Sequence, residues 1–274
     1  MPLSDSNAPT SGLPDDLDVP VEVWNADGSG DVLVLCEHAS NHIPARYDGL
    51  GLSHADSESH AAWDPGARAV ALGLAQALDA PMVASRVSRL VYDCNRPPEA
   101  PSAMPAKSEL IEVPGNRDLD DAARAERTDA VYRPFCAAVS ELIEKRTLEG
   151  RPPVLITVHS FTPVYYGKPR AVEIGILHDT DTRLADLMLE AASALPDRLV
   201  ERNSPYGPED GVTHSLVLHG VNNGLANVMI EIRNDLVRDS AEEAQMTEEL
   251  LVLLRPALAH LAAAAPATEG ADNA

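Results

Sequence analysis

Basic residues are scarce in this chain. Lys and Arg number 21 against 43 Asp and Glu, a formal net charge of −22. So acidic a surface repels phosphate backbones and anionic lipid, and it disfavours nucleic acid and membrane surfaces as partners. Long apolar runs are missing too. None reaches the roughly 18 residues that a membrane-spanning helix needs. The N-terminus is polar, with Ser, Asp and Pro and no apolar stretch, which predicts no signal peptide. Cysteine occurs only at 36, 94 and 136, an odd number without CxxC spacing. That argues against a disulfide framework and predicts a cytoplasmic protein. Neither GxGxxG nor GxxxxGK[ST] is present, so dinucleotide and phosphoryl chemistry drop out. There is no GxSxG elbow for a serine nucleophile. Cys36 and Cys94 follow apolar stretches but lack an evident His-Asn arrangement, so thiol catalysis is disfavoured.

With 274 residues, 45% of them apolar, the chain can bury a full core. Residues 1–25 and 265–274 are expected to be loose, and 26–264 to form one domain. Three apolar runs organise that domain. Asp31–Cys36 leads into Glu37-His38-Ala-Ser-Asn41-His42. Val154–Val158, rich in β-branched residues after Pro152-Pro153, leads into His159-Ser160-Phe161. Asn227–Ile230 leads into Glu231-Ile-Arg233-Asn234-Asp235. Each reads as a buried strand that stops at its polar cluster, and in open α/β sheets binding crevices lie beyond the carboxyl ends of strands.

Between these runs, 67–78 reads as a helix with Asp64-Pro65 as cap and first position, 82–85 as a short strand, and 118–145 as one long helix. Further on, 171–177 reads as a strand, 181–195 as a helix, 200–212 as a loop and 240–262 as a final helix. Strands alternating with helices predict a mostly parallel sheet covered on both faces.

The chemistry that fits is a metal-activated water. Catalytic Zn²⁺ takes three N/O ligands and keeps a position for water. His38 and His159 supply two imidazoles, and the third ligand is open among Asn41, Glu37 and Asp64. Glu231 lies in an apolar strand, where a charge is costly without a purpose, and is the expected general base. The competing role for Glu231 is a structural ion pair with Arg233 or Arg202. Arg86, Arg89 and the pair Asn95-Arg96 are expected to hold substrate carboxylate or acyl oxygen. His214 is a further residue expected to line the site.

The motifs Glu37-His38-Ala-Ser-Asn41, Trp63-Asp64-Pro-Gly66, Asp93-Cys-Asn95-Arg96-Pro97, Val158-His159-Ser160-Phe161 and Ile230-Glu231-Ile-Arg233-Asn234-Asp235, in that order, resemble the N-formylglutamate amidohydrolase family. The resemblance spans about 30–260. It implies the fold of zinc-dependent exopeptidases, a three-layer α/β/α sandwich with a mostly parallel mixed sheet. It also implies a divalent metal, with Zn²⁺ the expected ion, on His38 and His159. Asn95 and Arg96 would hold the substrate carboxylate, Ser160 and Arg233 would be further substrate-binding residues, and Glu231 would be the base. Position 41 is Asn where the HxxE ligand pair of the zinc-dependent exopeptidases has Glu, which leaves Asn41 or Asp64 as third ligand. The implied reaction is hydrolysis of an N-acylated amino acid, foremost N-formyl-L-glutamate to formate and L-glutamate. Another N-acyl-amino-acid deacylase or a carboxypeptidase-like enzyme is the alternative, and a metal-free binder of acidic metabolites the second. The expected partner is therefore a small acidic molecule. No feature of the sequence sets an oligomeric state.

Overall fold

A computed structural model describes residues 19–264. The stretches 1–18 and 265–274, expected to be loose, lie outside the described residues. Seven strands form one mixed sheet: β1 (Val21–Trp24), β2 (Val32–Cys36), β3 (Met82–Ser85), β4 (Val154–Phe161), β5 (Ile174–Leu177), β6 (Val200–Arg202) and β7 (Asn227–Arg233). Their spatial order is β1-β3-β2-β4-β7-β5-β6. β3, β2, β4 and β7 run parallel, β1 is antiparallel to β3, and β5 is antiparallel to β7 and parallel to β6.

The sheet is covered on both faces, giving the expected α/β/α layers. One face buries Val34, Ile156, Val158, Val228 and Ile230 against α1 (Ala67–Ala77), α4 (Arg183–Ala191) and α5 (Ser240–Ala264). The other buries Leu33, Leu35 and Leu155 against Val131, Phe135 and Val139. Those three belong to one helical run: α2 (Asp121–Arg127), a π turn over Thr128–Tyr132 and α3 (Arg133–Leu148). Asp120 caps it, its carboxylate accepting from the Ala123 N–H at 2.8 Å.

Several expectations are corrected. Val21–Trp24, within the stretch expected to be loose, is an edge strand paired with β3. Val200–Arg202, expected as loop, is the opposite edge strand. α1 is capped by Gly66 rather than Asp64, because the turn there needs φ +79° and a Cβ would meet Val237 at 2.4 Å. The main correction is that β4 and β7 do not stop where their apolar runs do. They stay paired through His159–Phe161 and Glu231–Arg233.

That extension positions the site. Side chains alternate across a sheet. Leu33, Leu35 and Leu155 face the α2–α3 layer, so Glu37, His159 and Glu231, two residues on or a multiple of two, share that face. His159 lies directly opposite Glu231 in the parallel register. The carboxyl ends of three adjacent strands thus place an acid, an imidazole and an acid side by side.

Candidate active site

His38, in the turn after β2, and His159 on β4 meet edge to face, with ring centroids 4.7 Å apart. Their Nδ1 atoms are 3.1 Å apart. Asp64 Oδ2 lies 3.2 Å from Nδ1 of His38 and 2.9 Å from Nδ1 of His159. All three residues are at most 2% exposed. Asp64 is anchored because its own N–H donates to the His38 carbonyl, and the Ser160 N–H donates to Oδ2 at 3.3 Å.

The far nitrogens are also engaged. His38 Nε2 donates to Asp93 Oδ1 at 2.7 Å. His159 Nε2 stands 3.1 Å from Glu37 Oε2, close enough to pair but off the line of a hydrogen bond. Arg89 joins the carboxylates, donating to Asp64 Oδ1 at 3.2 Å and to Asp93 Oδ2 at 3.0 Å. Burial works against the Asp93 charge, but His38, Arg89 and Arg96 outweigh it and hold the carboxyl well below the usual range. Asp64 is lowered in the same way, by His38, His159 and Arg89 against its burial. Burial also raises Glu37, and His159 more than offsets it.

A cation fits this donor set. With both rings neutral and protonated on Nε2, Nδ1 of His38, Nδ1 of His159 and Asp64 Oδ2 are three lone-pair acceptors facing one another at 2.9–3.2 Å. Such a cluster is repulsive unless a proton or a cation sits among them. A tetrahedral ion with bonds of about 2.0–2.1 Å spaces its ligands roughly 3.3 Å apart, near the separations seen. Three further buried carboxylates, Glu37, Asp93 and Glu231, surround the group, and Arg89 pairs with Asp64 and Asp93. His38, Asp64 and His159 can therefore hold a divalent metal.

Glu231 is 5% exposed, and its Oε2 has no hydrogen-bond partner. Burial is the main cause that pushes its pKa up to about 7. The ion pairs that competed for it are absent. Arg233 donates to Asp235 at 2.7 Å and to the carbonyls of Arg170 and Ala171, and Arg202 pairs with Asp186. Glu231 and the His–Asp–His group open on a cavity of about 170 Å³, lined also by Arg89, Asn95, Arg96, Ser160, Tyr165 and Tyr206.

Other expected site residues fall elsewhere or are already engaged. Asn41 is not among the residues that line the cavity, and its side-chain N–H donates to the Ser57 carbonyl at 3.1 Å. Arg86 does not line the cavity. Arg233 braces the 170–171 backbone and is not among the residues that line the cavity. His214 is 2.8 Å from the Tyr132 hydroxyl and stacks on that ring, outside the cavity. Asn95 reaches the cavity, but its amide is spent on the 212–215 loop, donating to the Val212 carbonyl and accepting from the Ser215 N–H. The Ser160 hydroxyl donates to the Pro65 carbonyl. Arg89 is held by Asp64 and Asp93. Arg96 alone among the expected cations faces the cavity with no carboxylate within ion-pair distance among the described residues; its NH1 donates to the Asn95 carbonyl.

Glu37 and Asp93 are the functional residues that the sequence did not mark for their role. Each backs a histidine, which selects the tautomer that turns Nδ1 inward. Glu37→Gln is therefore expected to weaken metal binding by about 10- to 100-fold, measured by chelator competition on folded protein. Unchanged affinity would show that Glu37 does not position His159.

A buried imidazole–carboxylate group at the strand ends of an α/β/α sandwich, beside an acid with a raised pKa, is an arrangement suited to hydrolysis. The family is then specific. Residues 30–238 match the N-formylglutamate amidohydrolase family, and the chain belongs to it, a family of hydrolases acting on amide bonds. A gene product of Agrobacterium tumefaciens of known structure is 55% identical, covering 91% of this chain and 99% of that one, with TM-score 0.88. The N-formylglutamate amidohydrolase of Ralstonia eutropha JMP134 shares the fold at 18% identity, with TM-score 0.61, over 89% of this chain and 99% of that one. No curated protein matches the chain significantly. Among the described residues no helix is long and apolar enough to cross a membrane.

Proposed function

We propose that this chain is a metal-dependent amidohydrolase that cleaves N-formyl-L-glutamate to formate and L-glutamate. The observation that carries the reading is the convergence of His38 Nδ1, His159 Nδ1 and Asp64 Oδ2 next to an unpaired, buried Glu231. His38, Asp64 and His159 would hold the ion, with Zn²⁺ suited to the N₂O donor set. When bound, it supplies Lewis-acid polarisation of the acyl oxygen and eases deprotonation of water.

The chain's own groups do the rest. Glu231 takes a proton from the attacking water and returns it to the leaving amine nitrogen, a task for which a pKa near neutrality suits it. Arg89 holds Asp64 and Asp93 in place. Arg96 binds a substrate carboxylate, so the partner is a small acidic molecule. The free state of Cys36, Cys94 and Cys136 supports a cytoplasmic setting.

A panel of N-acyl amino acids tests the reading. N-formyl-L-glutamate should have the highest kcat/KM. In Arg96→Ala its KM should rise roughly 10- to 150-fold, the size of one lost charge-assisted pair, while carboxamide-capped analogues change little. A panel in which another acyl group or amino acid is clearly preferred would overturn the substrate assignment. Equal losses on charged and capped compounds would make Arg96 structural.

A further inference from the structure

A second groove, of about 390 Å³, adjoins the catalytic cavity and shares Tyr165 with it. Arg170, at the foot of the small hairpin 164–169, lines it. Its guanidinium lies 4.4 Å from the centre of the Tyr165 ring, 4.7 Å from that of Tyr206 and 5.5 Å from that of Phe161, and it donates to the Tyr206 hydroxyl at 2.8 Å. Both tyrosines line the catalytic cavity as well. In a chain with 43 acids and 21 bases, a carboxylate partner is easily found. Yet among the described residues none lies within ion-pair distance of Arg170, whereas Arg89, Arg202 and Arg233 each have at least one.

The backbone that carries Arg170 is braced. Its N–H donates to the Pro163 carbonyl at 2.8 Å, and Arg233 bonds the carbonyls of both Arg170 and Ala171. The groove also holds Lys168 and Glu201, whose charges cancel, so Arg170 supplies its excess positive charge. A planar guanidinium stacked on aromatic faces, with NH1 donating to Tyr206, keeps its remaining N–H groups for a carboxylate and is already ordered, so little entropy is lost on binding.

We infer that Arg170 is a second carboxylate anchor, so that the site selects an N-acyl amino acid bearing two carboxylates, one held by Arg96 in the cavity and the other by Arg170 at its rim. The inference rests on the amidohydrolase reading for its choice of substrate class, but it is testable by binding alone.

Glutarate and its mono-amide differ by one charge and are not hydrolysed by this reaction, so calorimetric titration of each into the zinc-supplemented full chain isolates the second carboxylate. The parent should bind glutarate at least about 10-fold tighter than the mono-amide. Arg170→Gln should bring the two within about 3-fold, while Lys168→Gln leaves the preference in place. A parent without the preference, or an Arg170→Gln chain that keeps it, overturns the inference. Should Arg170→Gln not fold, Arg170→Lys decides: losing the planar fork, it should show an intermediate preference, and a preference equal to the parent's counts against the anchor. Formate release from N-formyl-L-glutamate, assayed separately, reports on the catalytic reading, so the two can fail independently.

Discussion

Replacing His159 with Ala is expected to remove the metal and the activity together. The ring contributes one of three mutually facing donors and is the only one in contact with both Glu37 and Asp64. Deleting a direct ligand should cost more than the roughly 10- to 100-fold in affinity typical of a group that backs a ligand. The variant should therefore hold no stoichiometric metal by elemental analysis after desalting. His38→Ala and Asp64→Ala should behave alike. Asn41→Ala is the informative contrast. Its amide serves the Ser57 carbonyl, so this variant should keep parental metal content at a small cost in stability, about 0.5–1.5 kcal/mol for one hydrogen bond. Full metal occupancy in His159→Ala would mean that the three donors are not the ligands.

Glu231→Gln is the second large effect. The amide keeps the shape and removes the base, so metal and substrate binding should stay near parental while kcat falls by about 100-fold or more. The pH dependence has a definite sign. Glu231 acts as carboxylate, and burial raises its pKa to about 7, while a cation beside it pulls the value down. Activity should therefore fall as pH drops through a pKa at or below about 7, and that acidic limb should vanish in Glu231→Gln. A folded, metal-loaded Glu231→Gln chain that retains near-full activity would place the base elsewhere. A chain that unfolds instead would point to a core role, which the lack of any partner for Oε2 argues against.

The central sheet was legible because β2, β4 and β7 are nearly unbroken apolar runs, the mark of strands buried on both faces. The edges were not. β1 and β6 are short, partly exposed strands carrying Glu22, Glu201 and Arg202, and they are defined by their neighbours more than by their own pattern. The strand ends are hidden for a related reason. His159 and Glu231 break the apolar run, but each continues a ladder that only the partner strand reveals.

In the site, His38, His159 and Glu231 could be picked out because each follows an apolar run. Asp64 could only be one of several third ligands. It lies 26 residues from His38 in sequence and is tied to it by its own N–H on the His38 carbonyl, whereas Asn41 has the closer spacing but does not line the cavity. Nor could the sequence tell which polar groups are already engaged. Asn95 and Arg89 have the right chemistry for a substrate, yet the 212–215 loop and the Asp64–Asp93 pair take up their hydrogen bonds.

The most direct test of metal-dependent amide hydrolysis is formate release from N-formyl-L-glutamate by one preparation, followed as purified, after chelation and after Zn²⁺ is restored. The account predicts hydrolysis that is lost with the metal and regained with it. Hydrolysis at an undiminished rate in the chelated, metal-free chain would contradict it.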